Sequence, residues 1–177
     1  MTLSLTLVDE LIAARKNLHG GTRGAPKRLD DGSHEGRALN RACVVMLTSA
    51  MQAYIEEVFM TCSEKAFGRV LINDELRDYS NTWSRWGNPS DDNIVRLFRR
   101  LGIHDVLDGL SWQGQANLTL RKNLRTMNQV RNRIAHGQEI RVDGNEFSLP
   151  LNKIERWRNV CKTFGERFEG HALRGIR

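Results

Sequence analysis

The chain has 177 residues, 40% of them hydrophobic and 27% charged. That is enough for one domain with a real core, and it excludes global disorder. Lys plus Arg is 27 against Asp plus Glu at 21, a net charge of +6 with a pI near 9.6, which permits attraction to a polyanion such as RNA without requiring it.

Cys43, Cys62 and Cys161 are far apart and form no C-x-x-C pair. This argues against a disulfide framework and a zinc site, and Cys43 and Cys62, within apolar helical pattern, read as buried free thiols. His19, His34, His104 and His171 lack ligand spacing, so no metal or other cofactor is expected. No uninterrupted apolar run approaches a membrane span, and Asp9 and Glu10 follow Met1 without a basic leader, so the expectation is a soluble, cytoplasmic protein with no membrane partner.

In chain order, Leu3, Leu7, Leu11 and Ala14 recur at helical spacing and predict a first helix over 3–17. Glycine and proline density marks 18–33 as a loop. Ser33 is placed to cap a long second helix over 34–66, with a core stripe through Leu39, Ala42, Val45, Met46, Ser49, Ala53, Tyr54, Val58 and Phe59. Its small residues Ala42, Ser49, Ala50 and Ala53 suit close approach by another helix. A shorter helix covers 71–79, and 82–89 reads as an irregular connection.

Ser90 caps a helix over 91–101, with Asp91 and Asp92 at its positive end, Arg99 and Arg100 at its negative end, and Gly102 as the left-handed stop. One further turn fits 105–110. The next long helix spans 116–136, with a stripe of Leu120, Leu124, Met127, Val130 and Ile134, and Gly137 ends it. Alternation over 139–149 around Asp143-Gly144 predicts a small β-hairpin or an extended loop. A last helix covers 152–169 after Pro150, and 170–177 reads as a frayed tail. The sum is a single all-α, bundle-like domain over 1–177.

Arg131 and His136 are the candidate catalytic pair. Five residues apart on a helix, they differ by about 140° around the axis and about 7.5 Å along it, whereas Asn132 and His136 are stacked. One helix end alone makes a poor site. Two copies across a two-fold axis would bring two of each into a shared cleft. RNA cleavage without metal needs a proton carrier and a charge stabiliser. Histidine titrates near neutrality, and the arginine fork binds two phosphate oxygens. By spacing alone, the ordinary reading is stronger: helix-end basic residues complement the dipole and the last carbonyls.

The string Arg131-Asn132-Arg133-Ile134-Ala135-His136-Gly137, late in a helical chain, resembles the R-x4-H signature of the HEPN superfamily. The early helix with Ala50-Met51-Gln52-Ala53-Tyr54-Ile55-Glu56 is similar to its prokaryotic branch that includes the RiboL-PSP-associated HEPN proteins. The resemblance covers about Glu35 to Phe168, and only the seven-residue string is specific. It implies a HEPN-like bundle, a homodimer with a composite cleft, metal-independent cleavage of an RNA substrate to 2′,3′-cyclic phosphate, and a role in toxin–antitoxin or antiviral systems with a cognate antitoxin or defence partner. Within it, His136 is the acid or base, Arg131 stabilises the phosphorane, Asn132 holds the phosphate or the imidazole, and Glu56 orients Arg131; read by its place mid-helix alone, Glu56 belongs to a solvated face or an ordinary structural pairing. Gln138 stands where toxins paired with nucleotidyltransferases often carry tyrosine, which departs from that pairing.

Arg121, Lys122, Arg125 and Arg133 are candidates to grip flanking RNA phosphates, or else a solvated helix face. Trp83 and Trp86 around Arg85 could stack bases, but the usual burial of tryptophan favours a loop pinned to the core. The alternative function is a non-catalytic HEPN-like module that binds nucleotides or a partner protein. A third is a structural all-α protein whose motif is accidental.

Overall fold

The computed structural model describes residues 1–18, 27–30, 34–83 and 86–176, apart from the side chains of Tyr79 and of 81–83. Its elements are α1 (Thr6–Asn17), α2 (Arg37–Phe67), α3 (Asn73–Trp83), α4 (Asp91–Phe98) with a 3-10 turn at Arg99–Leu101, α5 (Asn117–Ala135), β1 (Arg141–Val142), β2 (Asn145–Glu146) and α6 (Leu151–Arg174). The fold is all-α, 65% helix, with one small antiparallel hairpin.

α2 is the central element, packed against α1, α5 and α6. It buries Cys43, Val44, Leu47, Met51, Ile55, Val58, Phe59 and Cys62. At the core, Phe59 and Phe98 meet edge-on at 5.4 Å, Phe98 meets Phe168 at 5.4 Å, and Phe164 stacks on Phe168 at 4.5 Å. Each fully buried phenylalanine contributes about 2–3 kcal/mol by burial alone, and each well-placed pair about 1 kcal/mol more. Tyr54 donates its hydroxyl to the Gly165 carbonyl at 2.7 Å, which ties α2 to α6.

The buried faces of α1 and α2 match the expected ones only in part. α1 buries Val8, Ile12 and Arg15, with Leu5 buried just before it; of the expected stripe Leu3 and Leu11 are half-buried against the core, Ala14 is exposed and Leu7 is 57% exposed. In α2 the expected Tyr54, Val58 and Phe59 are buried, while Ser49 and Ala53 are exposed and Leu39, Ala42, Val45 and Met46 are half-buried. Both helices carry two overlapping apolar stripes about one residue, or about 100°, apart. On α2 the larger Leu47, Met51 and Ile55 gain more by burial than the alanines and serine of the competing stripe.

α2 starts at Gly36, which is left-handed and makes no side-chain cap. Ser33, the expected cap, and most of the 18–33 loop lie outside the described residues. Over one 18-residue window, α2 is also long and apolar enough to cross a membrane by length and composition, with half of that window packed inside the bundle. This differs from the reading that no segment comes close. Gly165 and Gly170 hid the extent of α6. The frayed tail expected over 170–177 is instead helix to Arg174, and it buries Ala172 and Ile176.

The locally signalled features form as expected. The Ser90 hydroxyl accepts from the Asn93 amide at 3.2 Å, and Gly102 is left-handed with φ 78°. Asp143 and Gly144, at φ 50° and 83°, make the two-residue turn whose twist matches a hairpin. Cys43, Cys62 and Cys161 are buried and free, and burial pushes the first two up to about 11 and Cys161 up to about 12, so none is a ready nucleophile.

Candidate functional site at the end of α5

Leu120, Leu124, Met127 and Val130 bury one face of α5 and fix its rotation. That rotation leaves Arg131 and Asn132 half-buried and Ala135 and His136 exposed. The helix closes with paired bonds. The Gln138 amide donates to the Arg133 carbonyl at 2.9 Å and the Gly137 amide to the Ile134 carbonyl at 3.1 Å. This Schellman closure needs a left-handed residue, and Gly137 supplies it at φ 64°. The His136 amide donates to the Asn132 carbonyl at 3.1 Å. Three carbonyls of the last turn are thereby occupied, which lessens the repulsion an incoming anion meets at a helix C-terminus.

The Asn132 Oδ1 accepts twice, from Asn88 Nδ2 at 2.8 Å and from Arg131 Nη1 at 3.3 Å. Asn88 is held in turn, because its carbonyl accepts from Asn93 Nδ2 at 2.8 Å on the first turn of α4. Asn132 therefore anchors Arg131 to the segment before α4. No carboxylate lies within ion-pair distance of Arg131 among the described residues, and the His136 imidazole has no protein hydrogen-bond partner among them. Both groups are open to a ligand.

The expected supporting residues divide. Glu56 does not pair with Arg131. Its Oε1 accepts from Trp86 Nε1 at 2.9 Å and from Gln52 Nε2 at 3.1 Å. Arg121 makes a two-bond ion pair with Asp105 at 2.7 and 2.8 Å, and Arg125 reaches Asp91 at 2.6 Å. The Asp91 side chain is 2% exposed, and its hydrogen bonds raise the Arg125 pKa. Arg133 donates to Gln138 at 2.8 Å on the surface, and Lys122 is exposed. Trp86 is in the core at 7% exposure, while the side chains of Trp83 and Arg85 lie outside the described set.

Asn88 is the site neighbour that sequence reasoning missed. Asn88 sits 44 residues from Asn132, and no local pattern links them. Neither Arg131 nor His136 lines the clefts beside Tyr54, beside Met60, between Arg99 and Arg121, or at the start of α2. Among the described residues, no three His, Cys, Asp or Glu side chains gather as metal ligands would. The chain matches no protein-family model, no curated protein and no solved structure.

Proposed function

We propose that this protein is an endoribonuclease of the HEPN type, in which Arg131 and His136 act on RNA across a homodimer. One observation carries the reading: of the four arginines on α5 named above, Arg121, Arg125 and Arg133 bond to an acid or an amide of another turn or element. Among the described residues, the Arg131 guanidinium hydrogen-bonds only its neighbour Asn132, beside a His136 imidazole that bonds to none of them.

The chemistry needs no more than these groups. A 2′-OH gives up its proton to an imidazole as its oxygen attacks the adjacent phosphorus. The P–O5′ bond breaks, and an imidazolium protonates the leaving 5′-oxygen, leaving a 2′,3′-cyclic phosphate. The Arg131 fork holds the equatorial oxygens as charge builds on them. Asn132, fixed by Asn88, keeps Arg131 in place.

Geometry supports the dimer. Arg131 and His136 point about 140° apart on their helix, so a second copy is needed to enclose one phosphate between them. Ser49 and Ala53 on α2, small enough for close helix contact, stay exposed in the single chain. We place the protein in a defence or toxin–antitoxin setting on the resemblance alone.

Purified protein should cut single-stranded RNA in excess EDTA and leave cyclic phosphate ends. Intact RNA with wild-type protein that is folded and dimeric overturns the reading. It would favour a non-catalytic module that binds nucleotides or a partner protein.

A further inference from the structure

A second cationic feature lies at the start of α2. An open cleft of about 610 Å³ is bounded by the first turns of α2, by Arg15 of α1 and by the base of the hairpin. Arg15, Arg37, Arg41 and Arg141 line it against Glu35, Glu139 and Glu146, and Arg141 already holds Glu139 at 3.1 Å.

Arg37 and Arg41 are placed where a protein alone gains least from them. They are four apart, so their like charges share one helix face. They sit at the positive end of a 31-residue helix that has no acid in its first turn and no side-chain cap. Neither side chain has a carboxylate or hydrogen-bond partner among the described residues. The Nε of Arg41 is sealed from solvent with its proton unused, and a buried unpaired donor of this kind costs about 1–3 kcal/mol. Burial and the neighbouring Arg37 press the Arg41 guanidinium below its ordinary pKa. An anion in the cleft would offset the like-charge pair and the uncapped positive helix end, and would favour the charged form of Arg41.

The scaffold beneath is rigid. Arg15 Nε donates to Asn40 Oδ1 at 3.2 Å, and Asn40 Nδ2 donates to the Leu149 carbonyl at 2.9 Å, which locks α1, α2 and the chain after the hairpin together. Arg15 lies against Gly36, where any Cβ would meet its Nε at 2.3 Å. Phe147, at the base, lies parallel to Trp157 at 6.0 Å between ring centroids, and Lys153 sits over its ring at 4.1 Å. The arginines give the cleft its character, so it reads charge.

We infer that Arg37 and Arg41 form a phosphate-binding site in this cleft, separate from Arg131 and His136. The volume suits a nucleotide-sized ligand. The phosphate can belong to a free nucleotide or to an RNA backbone, and the site does not depend on the nuclease reading.

The test is calorimetric binding and thermal melting of the full chain with millimolar pyrophosphate, against sodium chloride at matched ionic strength. Wild type should bind and melt at a higher temperature. Arg37→Gln/Arg41→Gln should lose about tenfold or more in affinity. Without ligand, the double variant should melt no lower than wild type, because a like-charge pair has been removed. Arg41→Lys, which keeps the charge and drops the fork, should bind with intermediate affinity. Comparing AMP with a 2′-O-methyl oligoribonucleotide then separates the two sources, and tighter binding of either by wild type than by the double variant supports the site. No binding beyond the chloride control, equal affinity in the double variant, or a ligand-free double variant that melts well below wild type overturns it.

Discussion

Asn88 donates its side-chain amide to the Oδ1 of Asn132 at 2.8 Å, and that same oxygen receives Arg131. The segment before α4 thus sets where the Arg131 guanidinium stands. Asn88→Ala should cut RNA cleavage several-fold and lower stability by about 1 kcal/mol, the worth of one internal hydrogen bond. Asn132→Ala, which removes the shared acceptor, should cut cleavage more than Asn88→Ala. Single-turnover rates beside urea melts check both, and equal rates in wild type and Asn88→Ala would remove the anchor from the argument.

His136→Ala should lower cleavage by roughly 100- to 10,000-fold, the usual contribution of a positioned proton carrier. His136 is exposed and its side chain bonds to no described residue, so the melting temperature should stay close to wild type. Mixing His136→Ala with Arg131→Ala chains tests the shared cleft: heterodimers that regain part of the activity support one phosphate held between two copies.

Glu56 decides between two roles. If it supports Trp86, as its 2.9 Å bond indicates, Glu56→Gln keeps an acceptor oxygen and leaves both stability and cleavage near wild type. Glu56→Ala should cost about 1–3 kcal/mol by stranding the indole N–H. A large drop in cleavage for Glu56→Gln with unchanged stability would restore the orienting role that the resemblance implied.

Arg125→Ala should act on the fold. It strands Asp91, whose side chain is 2% exposed, and should cost about 1–2 kcal/mol, discounted because the Arg125 side chain is itself 55% exposed. Cleavage per folded molecule and the salt slope of RNA binding should hold. Lys122→Ala should leave stability unchanged, since its side chain is exposed. A shallower salt slope in Arg125→Ala would return that residue to the RNA contacts.

Acid should weaken the link between α1 and α6. Arg158 hydrogen-bonds both oxygens of Asp9, at 2.7 and 2.6 Å, and holds its carboxyl below the ordinary value of 3.8. Because the folded pKa is the lower one, the contribution is full above about pH 4 and fades as pH falls through the folded value. Glu75, held at about 2 by Arg69 and the Ile72 amide, behaves alike between about 4.5 and 2. Acid melts of Asp9→Asn and wild type should converge at low pH, and a gap that persists there would contradict the linkage.

Much of this was legible where the signal is local. Ser90, Gly102, Gly137 and Asp143-Gly144 act on backbone within a few residues, and the structure places each as its chemistry predicts. The faces of α1 and α2 were legible only in part, with Tyr54, Val58 and Phe59 buried as the spacing predicts, because each helix carries two apolar stripes and only packing against neighbours chooses between them. The extension of α6 was there to be read: Phe164, Phe168, Ala172 and Ile176 continue one spacing of four past Gly170. The pairings of Arg121 with Asp105 and Arg125 with Asp91 join separate elements, so no spacing rule reveals them. Arg131 and His136 were found by likeness of sequence, and Asn88 only by the fold.

Gly137 has open space around it, with nothing within 4 Å of where a Cβ would stand, yet its φ is +64°. Torsion, not room, restricts that position. Substitutions there should therefore grade smoothly, with asparagine milder than alanine and alanine milder than valine, rather than fail outright. Rotation about that one bond also sets the path by which the chain leaves α5 for the hairpin. Position 137 is thus a dial: small backbone changes there would shift that path, and with it the surroundings of His136, in steps while the core, buried elsewhere, goes on folding.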